Sequence, residues 1–547
     1  MSEPSTWTRT HWICAGLLGV GLALALMGPN LLQLGDGLPG YFNDDWANGI
    51  YLHHQVHDAL TSGRFDLSDP AQFYPFGYNP IHTNGGNVLE MLVSGVARLV
   101  LPWPTWLGVA ALLWIPLNLL AFVPLARRLW QSPHAIMAAS AVWAIFPPCI
   151  DQMSAGRLTQ VALVGLPLAV AGLLELAEIG SRTAIRLAVL GLVLSGVGYW
   201  FNALFVAMLV PLFLWHGARH RPWKSIATDL VVVGALALVL VAPLLIIVFW
   251  PRLSGEWMPG THIDPTEMNI VFGDALKLVG GQAAGMVNWL PYVMMIGIGL
   301  TLWRGRRRAL WGGLALFCVV CSLGPGQAIG DATYRMPYWW LWKAVPGLAR
   351  MFHPERWMLL GGVFLTILAT DGLARTRPRW TWVLPIAVFA QLWIRGVVPM
   401  KTWSPIVPDH WQALSEEADQ GAIIVFPLHR SQMAGSHQWA HGRALYGGMV
   451  EDQPWAQPQA WREYAQNNEL LKSLRALSYG KAGELAFGPT DIARLRKDGF
   501  TRVVYDRFSW SRMPRPVSYD PEPYLRRAFG APLHHSQAGT VWALESP

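Results

Sequence analysis

The stretch MMIGIGLTLWRGRRRALWGGLALFCVV, residues 294–320, sets two uncharged apolar runs on either side of the short cationic knot RGRRR, Arg304 to Arg308. A helix needs about 20 mostly apolar residues to span a bilayer core, with some latitude for tilt. The runs at roughly 289–303 and 309–324 therefore read as a pair of membrane helices. Arginine in short connections marks the cytoplasmic side, so the knot is expected to face inward.

The same punctuation recurs in both directions along the chain. Short gaps carry Arg127 and Arg128, then Arg182 and Arg186, then Arg219, Arg221 and Lys224, and later Arg375, Arg377 and Arg379. Apolar runs lie at roughly 12–33, 105–126, 134–149, 158–178, 184–199, 200–216, 225–250, 289–303, 309–324, 356–374 and 379–397. With the N-terminus inside, about eleven transmembrane helices place every arginine-rich gap in the cytoplasm, and the C-terminus outside. The first run follows TWTRTHW, is longer than a signal-peptide core and lacks a small-x-small cleavage site, so it is expected to be retained as a helix. NVLEMLVSGVARLVLPW (87–103) is short and carries Glu90 and Arg98. It reads as an interfacial or re-entrant helix on the outer face.

Composition agrees. Of 547 residues 53% are hydrophobic and only 14% charged, and mean hydropathy is +0.30, whereas soluble domains carry about a quarter charged residues. The net charge of +7 is dispersed over short gaps rather than gathered on one face, which argues against a nucleic-acid partner. Many of the 30 tryptophans end apolar runs, where they anchor at lipid headgroups. Cys14, Cys149, Cys318 and Cys321 lie in or at the ends of apolar runs, so no disulfide framework is expected.

The fold class expected is thus a polytopic α-helical membrane protein with a small C-terminal α/β domain outside the cytoplasm. The boundary falls near Lys401: residues 1–400 form the membrane domain, including an outer loop 34–104, and 401–547 a periplasmic domain. In that tail GAIIVFPL (421–428), GFTRVVYD (499–506) and GTVWALES (539–546) read as buried strands. LRALSYGKAGELAF (474–487) and DIARLRKDGF (491–500) read as helical.

The outer gaps hold the candidate chemistry. In YFNDDWANGIYLHHQVHDALTSG (41–63) Asn43 suits an N-cap and Gly63 ends the helix. Asp44 and Asp45 then occupy its first turn, where carboxylates favour the helix dipole. Asp45 aligns with Gly49, Leu52, Val56 and Ala59, the apolar face expected to pack on the bundle or the membrane surface; a partly desolvated carboxylate there suits a general base. Asp44, off to the side, is a second candidate. His53 and His57 have metal-compatible spacing but no evident third ligand, and are expected to be solvated or to face headgroups. FYPFGYNPIHTNGG (73–86), with Tyr74 and His82, reads either as a cleft lining for a sugar ring or as a tightly packed loop. WWLWKAVPGLARMFHPERW (339–357) brings Arg350, His353, Glu355 and Arg356 to the outer headgroup level, where arginine snorkels or clamps a phosphate. DQMSAGRLTQ (151–160) places Asp151 and Arg157 at the same level.

In order along the chain, NDDW after the first span, YPFG, LARRL, PGLARMFHPERW before a late span and QWAHGRALYGG in the tail resemble the multi-spanning GT-C glycosyltransferases of the bacterial branch with a C-terminal periplasmic domain. The resemblance runs over most of the chain. It implies an inverting enzyme of the bacterial inner membrane, with a polyprenyl-phosphate sugar as donor and a glycan or protein hydroxyl as acceptor. Asp44 or Asp45 would act as base, and Arg350 and Arg356 would offset charge on the leaving lipid phosphate. His353, Arg157, Tyr74 and His82 are further candidates for substrate or phosphate binding, although the family commonly has a histidine where Arg157 stands. No metal ligands and no cofactor are assigned, though a divalent cation is compatible. A non-catalytic glycan-assembly scaffold shares these features. A secondary transporter would instead place ionisable groups near the bilayer midplane, where these runs have almost none.

Overall fold

The computed structural model describes all residues except 1–6, 65–67, 81–87, 254–291, 306, 330–331, 346–347, 349–350, 352, 429–431, 450, 452–456, 482, 513–518 and 546–547. Its main helices are α1 (Arg9–Met27), α2 (Asp44–Thr61), α3 (Leu89–Arg98), α4 (Thr105–Leu129), α5 (Pro133–Ala144), α6 (Gly165–Glu178) and α7 (Arg182–Gly198). There follow α8 (Trp200–Gly217), α9 (Trp223–Leu253), α10 (Tyr292–Arg304), α11 (Arg308–Ser322), α12 (Trp357–Thr376), α13 (Val383–Ile394), α14 (Glu469–Ser478) and α15 (Pro489–Lys497). The chain divides into two compact units, the first taking Met1–Tyr41, Gly86–Leu245 and His262–Trp403, the second Phe42–Gly85, Ile246–Thr261 and Ser404–Pro547.

The first unit is a helical membrane body. Helices stand at all eleven expected stretches. Among the described residues, seven are long and apolar enough to cross a membrane, while Tyr292–Trp303 and Arg308–Ser322 are apolar but shorter. The least enclosed is α9, whose Val231, Val239 and Leu240 are exposed, as suits side chains that meet lipid rather than water. At ten residues α3 is about 15 Å long, half a hydrocarbon core, so it does not cross alone. It turns Leu92 and Val96 outward and Glu90 and Ser94 inward, the inverse of a water-soluble helix.

Hydrogen bonds sort the gaps into two ends. At one, Arg307 bonds Glu178 at 2.9 Å, Arg128 pairs with Glu175, Arg221 donates to the Leu176 carbonyl at 2.6 Å, and Trp382 meets His134 at 3.2 Å. These are the arginine-rich gaps that the alternation groups together. At the other, Arg356 meets Tyr199, Arg395 meets Asp151, and Met400 donates to the Leu26 carbonyl at 2.7 Å.

Close approach of α6 and α7 holds part of the body. A Cβ on Gly172 would lie 2.3 Å from the Ala188 nitrogen, and one on Gly191 2.1 Å from the Ala169 nitrogen. Small residues that let backbones approach are a main source of helix association in lipid. Gly191→Val is therefore expected to force the pair apart and to lower the thermal unfolding midpoint in detergent by several degrees. Gly234→Val, at a glycine with nothing within 4 Å of the added carbon, is the control and should leave it unchanged.

The second unit carries a four-stranded sheet, β1 (Ala422–Phe426), β2 (Phe500–Asp506), β3 (His534–His535) and β4 (Gly539–Ala543), in the order β1-β2-β4-β3. β1 and β2 run parallel and the other pairings are antiparallel, so the intervening chain crosses over through α14 and α15. Ile423, Val425, Val504 and Val541 pack with Trp411, Leu414 and Leu445 into its core. Strands thus stand at the three expected stretches. The expected helix 474–487 stops at Ser478, and Gly480, with φ 83°, closes it.

Of the first outer loop, Phe42–Gly85 groups with Ser404–Pro547 in the second compact unit. On α2, Trp46, Ile50, Leu52, His53 and His57 are all buried, His54 stacks on Trp439 at 5.3 Å, and Tyr51 donates to Asp69 at 2.7 Å. The expectation of solvated His53 and His57 is thereby overturned, since tail residues cover the face opposite the apolar stripe. The YPFG loop packs likewise. Phe73 lies fully buried against Trp461 at 5.1 Å, Gln72 accepts from the Met449 amide at 2.9 Å, and Gln438 donates to the Ala71 carbonyl at 3.1 Å. In QWAHGRALYGG, Arg443 is completely buried, donating twice to the Leu414 carbonyl (2.7 and 3.1 Å) and to Glu417 at 3.1 Å.

Candidate active site

In the second unit, Asn43 is extended and its side chain accepts from the Trp46 amide at 3.0 Å. This cap starts α2 and fixes Asp44 and Asp45 in the first turn, both half-buried. Asp44 lies 3.6 Å from Arg512, whose guanidinium sits over the rings of Phe42 (5.3 Å) and Phe508 (4.4 Å). An arginine from the far end of the chain thus meets one of the two acids. Both partners are more than a third exposed, so the pair is worth little to stability.

In the first unit, a 3₁₀ turn Pro354–Arg356 leads into α12. Arg356 donates to the Tyr199 hydroxyl at 2.5 Å and lies 5.6 Å from its ring centre. Tyr199 sits between α7 and α8, and the charges of Arg356, Glu355 and Arg157 all act on its hydroxyl. Arg157 donates to Gln152 at 3.2 Å, and His353 pairs with Glu355 at 2.8 Å. Arg395 meets Asp151 at 3.4 Å. Arg356 therefore meets this aromatic hydroxyl directly, with the charge of Arg157 also acting on it, at the end of the bundle away from the arginine-rich gaps. Such a cluster, with donors from several helix ends, can seat a phosphate at headgroup level.

Tyr199 escaped sequence reading because it stood as the last residue of an apolar run. Nothing in the sequence near Arg512 points to Asp44. Tyr74 is half-buried, its amide bonded to the Leu445 carbonyl at 3.0 Å and its ring edge-on to Phe500 at 5.4 Å. Arg350 and His82 lie outside the described residues.

No family model and no curated protein matches the chain. Solved structures do. The arabinofuranosyltransferase AftD from Mycobacteria aligns over 100% of this chain with a TM-score of 0.61 at 14% identity. The fold is GT-C-like. A mutant of AftD gives 0.60 at 13% identity. The chain spans about two-fifths of the length of those proteins, 40% and 42%. ArnT from Cupriavidus metallidurans, in a structure bound to undecaprenyl phosphate, aligns over 99% of this chain and 100% of its own at 12% identity; its TM-score of 0.47 is too low a likeness to carry an argument. The likeness is one of fold alone, and a fold does not fix chemistry.

Proposed function

We infer that this GT-C-like protein is a glycosyltransferase that moves a sugar from a polyprenyl-phosphate donor to a hydroxyl of a glycan or protein acceptor, with inversion, at the outer face of a bacterial inner membrane. In this reading the N-terminus is cytoplasmic and the second unit periplasmic. Asp45 accepts the proton of the acceptor hydroxyl as its oxygen attacks the anomeric carbon, with Asp44 the alternative base. The bond from that carbon to the phosphate oxygen breaks, and the lipid phosphate leaves with the electron pair. Arg356 and Arg157, with Arg350 close to Arg356 in sequence, offset its charge, and His353 and Glu355 hold the turn that presents Arg356.

The observation that carries the reading is Arg356, held on the Tyr199 hydroxyl at 2.5 Å at one end of a GT-C-like body. A hydrogen bond to a charged group is worth about 1.5–3 kcal/mol, or about 10- to 150-fold in affinity. Arg356→Ala is expected to raise the KM for lipid donor by that order, with Arg356→Lys recovering part of it, in assays on membranes supplied with a polyprenyl-phosphate sugar. An unchanged donor KM in Arg356→Ala would remove the phosphate seat from the account.

A further inference from the structure

At the arginine-rich end of the bundle, opposite the end that carries Arg356 and Tyr199, Glu178, His216 and His220 each offer one ligand atom, all within 4.8 Å of one another. His216 ends α8 and its ring Nε2 lies 3.0 Å from Glu178 Oε1. His220 follows four residues on, in the turn closed by its amide to the Gly217 carbonyl at 2.8 Å, with its ring centre 5.0 Å from that of His216. Two imidazoles and one carboxylate are a donor set that zinc accepts, with bonds of about 2.0–2.2 Å, which places tetrahedral ligand atoms about 3.3 Å apart. The His216–Glu178 separation of 3.0 Å is close to that value, and His220, within 4.8 Å of both, is exposed, so its side chain has room to turn inward.

The carboxylate also has an outer partner. Arg307 donates to both Glu178 oxygens at 2.9 Å, fixing the orientation of the group as outer-shell hydrogen bonds do in metal sites. The same guanidinium opposes a cation electrostatically, so binding is expected to be weaker than in structural zinc domains.

We propose that Glu178, His216 and His220 form a divalent transition-metal site, filled by zinc or a cation of similar preference, that ties the α6–α7 turn to the α8–α9 turn. Its fourth position is left for water. The site serves assembly of the cytoplasmic-type end rather than sugar transfer.

The test is titration of the purified, tag-free full-length chain in detergent with Co2+ and with Zn2+. One Co2+ per chain is expected, with the visible absorption of a tetrahedral ion that Zn2+ displaces, and a rise in unfolding temperature on adding Zn2+. His220→Ala, which removes an exposed ring and leaves the fold intact, should weaken Co2+ binding by more than about tenfold, since even outer-shell losses cost 10- to 100-fold. His216→Ala should do the same, while His57→Ala in the other unit should not. Absence of stoichiometric binding, or binding unchanged in both His216→Ala and His220→Ala, would overturn the proposal.

Discussion

Replacing Asp45 with Asn is expected to lower sugar transfer by about 10²–10⁴-fold, the contribution of a positioned general base, without loss of folded protein from membranes. Asn keeps the shape of the side chain and suits the first turn of α2, whose cap is supplied by Asn43 through the Trp46 amide. Only the capacity to take a proton is lost. Asp44→Asn is expected to cost much less, because the Asp44 carboxylate already faces the Arg512 guanidinium at 3.6 Å. The two variants are compared by initial rates in membranes from a glycan-negative background. A larger loss in Asp44→Asn would exchange the roles of the two acids.

The second large effect is acid destabilisation of the unit containing α2 and the tail. Burial lowers the imidazoles of His53, His410 and His441 from 6.5 to about 3, while burial raises the Asp506 carboxyl from 3.8 to about 6. The three histidines bind protons in the unfolded chain below pH 6.5 but not in the folded one, so their stabilisation is lost as pH falls from about 6.5 towards 3. Asp506 acts with the opposite sign, holding a proton in the folded state that the unfolded chain releases between about pH 6 and 4. Each group is worth about 1.4 kcal/mol per pH unit. His437, lowered by burial to about 4, adds a fourth histidine of the same sign, and Asp69, raised by burial, adds to Asp506, so the histidines outnumber the carboxyls and the unit loses stability as pH falls from 6 to 4. Hydrogen exchange or thermal unfolding of the full-length protein followed by tail-derived peptides should show the decline. A tail whose stability is flat or rises from pH 6 to 4 would mean that these histidines are hydrated.

The membrane body was legible because lipid leaves so few options: uncharged runs of spanning length and arginine between alternate pairs decide both the helices and which gaps share an end. Contacts such as Arg307 with Glu178 bear that grouping out. The three tail strands were legible for a similar reason, as short β-branched runs ending in turn residues. The partner of α2 was not. Its periodicity showed one apolar stripe, and nothing local tells that His54 stacks on Trp439 across hundreds of residues, or that the opposite face is covered as well. The YPFG and QWAHGRALYGG stretches could be picked out in order, but their meaning as two sides of one packed core, joined through Gln72 and Gln438, is a tertiary fact. In the candidate site, Arg356 and Arg157 were visible as cations at span ends. Tyr199, whose hydroxyl Arg356 meets, was hidden because a tyrosine at the end of an apolar run looks like any other interfacial anchor.

The account rests on transfer of a sugar from lipid-linked donor by this chain itself. The most direct measurement is made on purified protein given a polyprenyl-phosphate sugar pool and a hydroxyl acceptor, counting sugar transferred against lipid phosphate released. One phosphate released per sugar transferred by the unaltered chain, and neither by the Asp44→Asn, Asp45→Asn double variant, is the predicted result. Transfer by the double variant at the unaltered rate, or none by the unaltered chain from any sugar in the pool, would contradict it.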